Sequence, residues 1–230
     1  MAKDRVEAVE RALDVLNSFS DEKNVLTLKD IADSTGLYKS TILRLIGSLE
    51  GNGFVSKQQD GRYRLGPSLW RLGSIYKNSF DSEKVIRPIL EKMRDTVSET
   101  AAFYIKSGDR RICLYRENAK REVCHHISEG SEIAIKQGAA GRVLLAYTGT
   151  EGQLFDTIRK QGWYMSKGER NPDLAAIAVP VITPDGEIKG ALSISGLIFR
   201  FEEPLVSQCL DLLKDAAENM GKQLIDSPLM

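Results

Sequence analysis

Apolar residues recur at helical spacing from the start of the chain: Val6, Val9, Leu13, Leu16 and Phe19 predict a helix over 6–18. A polar break at 20–24 follows. Leu28, Ile31 and Ala32 then share one side of a shorter helix, which Thr27 can cap with Asp30 three residues on. Gly36 supplies the backbone freedom for a sharp turn. The next pattern predicts a helix over 39–50, with Ile42, Leu45, Ile46 and Leu49 turned to a core. That leaves Tyr38, Lys39, Ser40, Thr41 and Arg44 near its N-terminal end and on its exposed face. Two short helices joined at a glycine, the second opening on small polar residues and an arginine, have the layout of a helix-turn-helix. Its second helix fits a DNA major groove, so DNA is the first candidate partner.

The period then changes. Residues 53–57 and 62–66 read as two strands around Gln58-Gln59-Asp60-Gly61, and Asp-Gly between such segments is a strong hairpin signal. A hairpin after a helix-turn-helix makes a wing, and Lys57, Arg62 and Arg64 sit on it with alternation. Ser68 can cap a linking helix over 68–79, with Leu69, Leu72, Ile75 and Tyr76 on one side. A further helical pattern runs from Ser82 through Val97, and the polar patch at 78–82 marks a domain boundary. Beyond it, 100–106, 111–117 and 123–128 alternate as strands. Helices are expected at 139–147 and 151–161, two strands at 175–183 and 188–196 joined by Pro184-Asp185-Gly186, and a last amphipathic helix at 204–225. Hairpin strands with flanking helices give an α+β second domain.

Bulk charge does not favour nucleic acid, because 32 basic and 32 acidic residues cancel over the 230. The distribution does. Residues 1–37 carry 5 basic and 8 acidic side chains, whereas 38–79 carry 7 basic and only 2 acidic ones. Phosphate binding needs local charge, and the positive segment begins at the candidate recognition helix. Three cysteines without CxxC spacing read as reduced, buried thiols. The polar, charged N-terminus does not read as a signal peptide and no apolar run has membrane-span length, so a cytoplasmic protein is expected. His125 and His126 are adjacent on a predicted strand and point to opposite faces, so no metal site is expected. Residues 190–196 do not fit G-x-S-x-G in either register, and neither a P-loop nor a dinucleotide fingerprint occurs. No enzyme and no cofactor are expected.

Residues 28–66, with IADSTGLYKSTILRLIGSLEGNGFV and GRYRLG, resemble the DNA-binding half of IclR-type bacterial transcription regulators. The second half agrees: SETAAFYI, GAAGRVLLA, Gly168-Glu169, AIAVPV and GALSISG occur in that family's order. The resemblance implies a winged helix-turn-helix over 1–66, a linker helix over 67–81, and a GAF-like effector-binding and oligomerisation domain over 82–230. It implies a homodimer or dimer of dimers on a palindromic operator in double-stranded DNA, often a repressor, answering to a small organic acid or aromatic. Carried over residue by residue, the effector would meet Ala139, Ala140, Ser166, Leu174, Ala176, Ser193 and Ser195. In two places the chain departs from the family. Ser166 and Ala176 stand where small-acid binders often place an acid or a cysteine, and the stretch between Ala146 and Trp163 is short.

Several roles stay open at this point. Arg44 suits bidentate contact with a guanine, a phosphate contact, or a solvated surface. Ser40 and Thr41 suit a phosphate at a helix N-terminus or simple capping. Tyr38 suits a sugar or base methyl, or a cover over the turn. Lys29, Lys57, Arg62 and Arg64 complete the DNA-facing set. Ser193 and Ser195 alternate with Leu192 and Ile194, so both hydroxyls face a cavity or solvent if the apolar face is core. Phe103, Tyr104, Trp163, Tyr164 and Phe199 suit a pocket or, better, the core. The rival to an effector-binding regulator is a DNA-binding regulator whose second domain only dimerises.

Overall fold

The computed structural model describes residues 5–20, 23–78, 82–122, 126–225 and 229, in two compact units within 1–79 and 80–230. The first unit holds α1 (Glu7–Asn17), β1 (Val25–Leu26), α2 (Leu28–Thr35), α3 (Lys39–Gly51), β2 (Val55–Lys57), β3 (Tyr63–Leu65) and α4 (Pro67–Asn78). Its core gathers Val15, Leu26, Ile31, Ile42, Ile46, Val55 and Tyr63, one or two from each element before α4.

Local chemistry sets the boundaries. Thr27 Oγ1 accepts from the Asp30 amide at 3.1 Å while the Asp30 carboxylate accepts from the Thr27 amide at 2.8 Å, a complete capping box at the start of α2. The bonds from Thr27 hold the Asp30 carboxyl below its usual range. Thr27→Ala is expected to lower stability by about 1 kcal/mol, read from the midpoint of denaturant unfolding. Gly36 closes α2 at φ 69°, the left-handed conformation that glycine adopts without cost. The wing strands β2 and β3 pair antiparallel across the Asp60-Gly61 turn, and β1 adds a third strand to β3. Ser68 is not a cap: α4 begins one residue earlier at Pro67, a favoured first position, and the Ser68 hydroxyl donates to the Asn52 carbonyl at 2.7 Å.

The second unit contains α5 (Ser82–Val97), β4 (Thr100–Ser107), β5 (Arg110–Glu117), β6 (Glu132–Ala134), α6 (Ala139–Tyr147), α7 (Gln153–Gln161), β7 (Tyr164–Lys167), β8 (Leu174–Ile182), β9 (Ile188–Leu197) and α8 (Leu205–Gln223). The strands form one antiparallel sheet in the order β6-β5-β4-β9-β8-β7. One face carries large residues (Phe103, Tyr115, Ile177, Val179, Leu192, Ile194) that pack with Leu90 and Met93 of α5 and Leu213 and Met220 of α8. The other face carries small ones (Ala102, Ala178, Ala191) against Ala140, Val143 and Leu144 of α6 and Ile158 of α7. Small residues let α6 sit close to the sheet. A register shift opposite Phe103/Tyr104 leaves Leu114 as an extra residue in β5, so that Tyr115 joins the large-residue core while Cys113, two residues earlier, faces the small-residue side.

Two strand expectations need correcting. No strand occurs over 126–128, while 123–125, with Cys124 and His125, lie outside the described residues. The edge strand next to β5 is instead β6. β7, four residues pairing with β8, carries no alternation long enough to read in the sequence. Among the described residues no helix is long and apolar enough to cross a membrane.

Candidate functional site

The DNA-facing candidates sit on α2, α3 and the wing. Tyr38 takes the N-cap position of α3 with no side-chain bond to the first-turn amides, and its ring is 84% exposed. Lys39, Ser40 and Thr41 follow inside the first turn, so neither hydroxyl is the cap. Their place by the unsatisfied amides and positive end of α3 favours an anion. Arg44 is exposed further along α3, and among the described residues neither it nor Lys39 has an ion-pair partner. Lys29 is exposed in the first turn of α2.

The wing separates its basic residues. Arg64 lies opposite Ser56 and Lys57 opposite Tyr63, and cross-strand partners project to the same face. Arg64 and Lys57 therefore emerge on opposite faces of the hairpin, rather than forming one row. Arg62 is engaged by Asp60, with Nη2 2.7 Å from Oδ2 and the Arg62 amide bonded to Oδ1 at 3.0 Å. That pairing holds the turn and lowers the Asp60 pKa, and it leaves Arg64 as the better placed wing cation.

In the second unit, Ala139, Ala140, Ser166, Leu174, Ala176, Ser193 and Ser195 all line one cavity of about 50 Å³, between the N-terminal end of α6 and the small-residue face of the sheet. Ser193 and Ser195 point into it while Leu192 and Ile194 are fully buried in the opposite core, as the alternation requires. Ser166 Oγ accepts from the Ala139 amide at 3.1 Å, and Glu169 accepts from the Gly138 amide at 3.2 Å and from the Tyr164 hydroxyl at 2.7 Å. Burial, and then that bond to Glu169, push the Tyr164 hydroxyl up to about 12. Of the other aromatic candidates, Tyr104 lines the cavity, Phe103 is core, Trp163 packs at the core's edge, and Phe199 is 70% exposed.

Sequence reading missed one lining residue of consequence. Arg111 on β5 is 4% exposed, its Nη1 donates to the Gln137 carbonyl at 2.5 Å, and its guanidinium lies 5.2 Å from the Tyr104 ring centroid. Burial pulls its pKa below the usual arginine value. The available signal was phase: Arg111 is two residues before Cys113, so the pleat puts both on the buried face. Cys113 and Cys209 are buried free thiols, and burial pushes Cys209 up to about 12 and raises Cys113. Both are therefore unreactive.

A helix-turn-helix with a wing, followed in the same chain by an α+β unit with a lined cavity, defines a winged-helix transcription regulator. Residues 8–59 match the IclR helix-turn-helix domain, and 152–222 match the bacterial transcriptional regulator IclR C-terminal domain. The chain belongs to the IclR family of DNA-binding transcription regulators and is not an enzyme. It is 24% identical to the HTH-type transcriptional regulator KipR of Bacillus subtilis, covering 94% of this chain and 96% of that one. The crystal structure of an IclR transcriptional regulator from Alicyclobacillus acidocaldarius superposes with a TM-score of 0.81 at 26% identity, over 94% of this chain and 98% of that one. An IclR homologue from Microbacterium hydrocarbonoxydans complexed with 4-hydroxybenzoate gives 0.78 at 21% identity, over 96% of this chain and all of that one.

Proposed function

We propose that the chain is a cytoplasmic, homodimeric repressor that binds a palindromic operator through 1–66 and answers to a small organic effector held within 82–230, with 67–81 linking the two. The observation that carries the DNA half is the N-terminal end of α3, where Lys39, Ser40 and Thr41 lie beside the unsatisfied helix amides and Arg44 is exposed further along the same helix. In this reading Arg44 contacts a base edge, while Lys39, Ser40 and Arg64 contact phosphates. Tyr38 packs on a sugar or a base methyl. Binding isotherms over a panel of duplexes test these roles. Arg44→Ala is expected to cost about 1–3 kcal/mol at one base position and relax the preference there. Arg64→Ala is expected to weaken all duplexes alike and lower the salt slope by about 1. Equal loss on every duplex for Arg44→Ala contradicts base reading.

A second copy of the chain is the partner we assign to the exposed apolar positions of the first unit. Val6, Val9 and Leu13 on or beside α1, and Trp70, Leu72 and Ile75 on α4, are each more than 40% exposed. Large apolar side chains exposed together along a helix favour a protein partner, and a two-fold operator requires a two-fold protein. Ile75→Glu is expected to shift the chain toward monomer in sedimentation, with operator affinity falling in step.

For the effector, support comes from the seven residues that the family resemblance implied, all lining one cavity, and from the relative that holds 4-hydroxybenzoate. An effector acts only through different affinities for DNA-competent and incompetent arrangements. The route we propose runs from Tyr104 through Arg116, 3.4 Å from its hydroxyl, to Glu129, which accepts from the Arg116 amide and from Arg87 on α5. The small cavity favours the rival reading, a second domain that only dimerises. A ligand-induced rise in melting temperature separates the two.

A further inference from the structure

The exposed face of α3 carries one large apolar side chain. Ile42 and Ile46 are buried and Leu45 and Leu49 pack beside them, but Leu43 is 48% exposed. A lone exposed leucine is ordinary on a protein surface, so its neighbours decide what it does. At about 3.6 residues per turn, Ser40 and Gly47 lie on one line along the helix, on the side away from the core, and Leu43 and Arg44 flank that line. Gly47 stands in the helix interior, where glycine is less favourable than alanine. A Cβ there would meet nothing within 4 Å among the described residues, so packing within the chain does not require a glycine. The room it leaves is outside the protein, beside Arg44, and a backbone without a side chain lets another molecule come close.

We propose that Leu43 is a specificity-determining residue of DNA binding: it reads the methyl group of one thymine in each half-site, and Gly47 lets α3 sink far enough into the major groove for that contact. The proposal rests on reading α3 as the groove-bound helix. Leucine has no hydrogen-bonding group, so a phosphate or a polar base edge pressed against it loses water and gains no partner. Of the groups that base pairs present in the major groove, the thymine C5-methyl is the apolar one. Arg44 on the other flank suits a guanine edge or a phosphate, so the two neighbours divide the readout into an apolar and a polar half. A protein partner suits this face less well, because Lys39 and Arg44 stand on it without ion-pair partners among the described residues.

The test uses the duplex that the full chain selects from random-sequence DNA, remade with uracil for thymine at one position of each half-site in turn. Uracil lacks only the methyl. At one position the wild type should bind the uracil duplex about 4-fold more weakly per half-site, the worth of one buried methyl. L43A should melt as wild type, bind the thymine duplex more weakly, and no longer distinguish uracil from thymine there. L43M keeps an apolar tip and should keep the distinction. G47A should melt no lower than wild type yet bind the thymine duplex about 5-fold or more weakly, the low end of what an added group costs a close contact. Absence of a uracil penalty at every position in the wild type, or an unchanged penalty in L43A, overturns the proposal and leaves operator binding standing. A penalty that vanishes in Y38A but not in L43A assigns the methyl to Tyr38 and overturns it likewise. G47A that binds as wild type, or that loses melting temperature together with affinity, overturns the role of Gly47. Selection of no duplex at all overturns the proposal together with the reading of α3 as a groove-bound helix.

Discussion

Glu99→Ala is expected to destabilise the second unit by about 3–5 kcal/mol, the loss for breaking a buried ion pair from one side. Glu99 is 1% exposed at the entry to β4, directly after Ser98 in the left-handed region at φ 54°. Arg200 Nε lies 2.6 Å from its Oε1 and Arg200 Nη2 donates to Oε2 at 3.2 Å. Arg121 approaches at 3.5 Å while donating to the Ser98 carbonyl at 2.8 Å. The carboxylate thus pins three separate segments, and it lies so close to β9 that a Cβ at Gly196 would fall 2.2 Å from its oxygen. Removal leaves the largely buried Arg200 uncompensated. Urea unfolding checks this, with a fall in midpoint at constant slope as the expected result. A midpoint within about 0.5 kcal/mol of wild type, the range of an ordinary surface change, would contradict it.

Gly141→Ala is expected to cost about 1–3 kcal/mol and to abolish any ligand-induced rise in melting temperature. Gly141 lies buried in the first turn of α6, next to the cavity-lining Ala139 and Ala140. A Cβ there would fall 2.1 Å from the Ile135 carbonyl oxygen and 2.7 Å from Arg111 Nη1. The carbonyl belongs to backbone that cannot swing aside like a side chain, so the start of α6 must move away from the Ile135 segment, and the Ala139 amide's contact with Ser166 moves with it. DNA affinity of the unliganded protein should stay near wild type. A variant that keeps both its stability and its ligand response would show that the close approach of α6 is not needed.

The first unit was more legible in the sequence than the second, for local reasons. Thr27, Asp30 and Gly36 encode the start and stop of α2 in side-chain and backbone chemistry three to nine residues long, and Asp60-Gly61 encodes the hairpin. Such signals need no knowledge of the rest of the chain. Sheet order in the second unit depends on pairings such as Thr100 with Ser195, which no local pattern states. The extra residue Leu114 in β5 also breaks the strict alternation on which strand reading depends, since Cys113 and Tyr115 face opposite sides. On α4, Leu72, Ile75 and Tyr76 read as the packing side of a helix, yet they are exposed: periodicity marks a face without saying what covers it. The same limit applied to the cavity. Ser193 and Ser195 were readable from alternation, but Arg111 looked like any strand-end arginine until Gln137 and Tyr104 were brought beside it. Lys57 and Arg64 were both read as wing cations, but which face each takes came only from the pairing of Lys57 with Tyr63 and of Arg64 with Ser56.

Selection of bound sites from random-sequence DNA by the full-length protein, at near-physiological salt, is the most direct test of sequence-specific, two-fold operator binding. An enriched inverted repeat with half-sites about one helical turn, or a multiple of it, apart is the expected result. Enrichment of no sequence, or of a single unrepeated half-site, would contradict it.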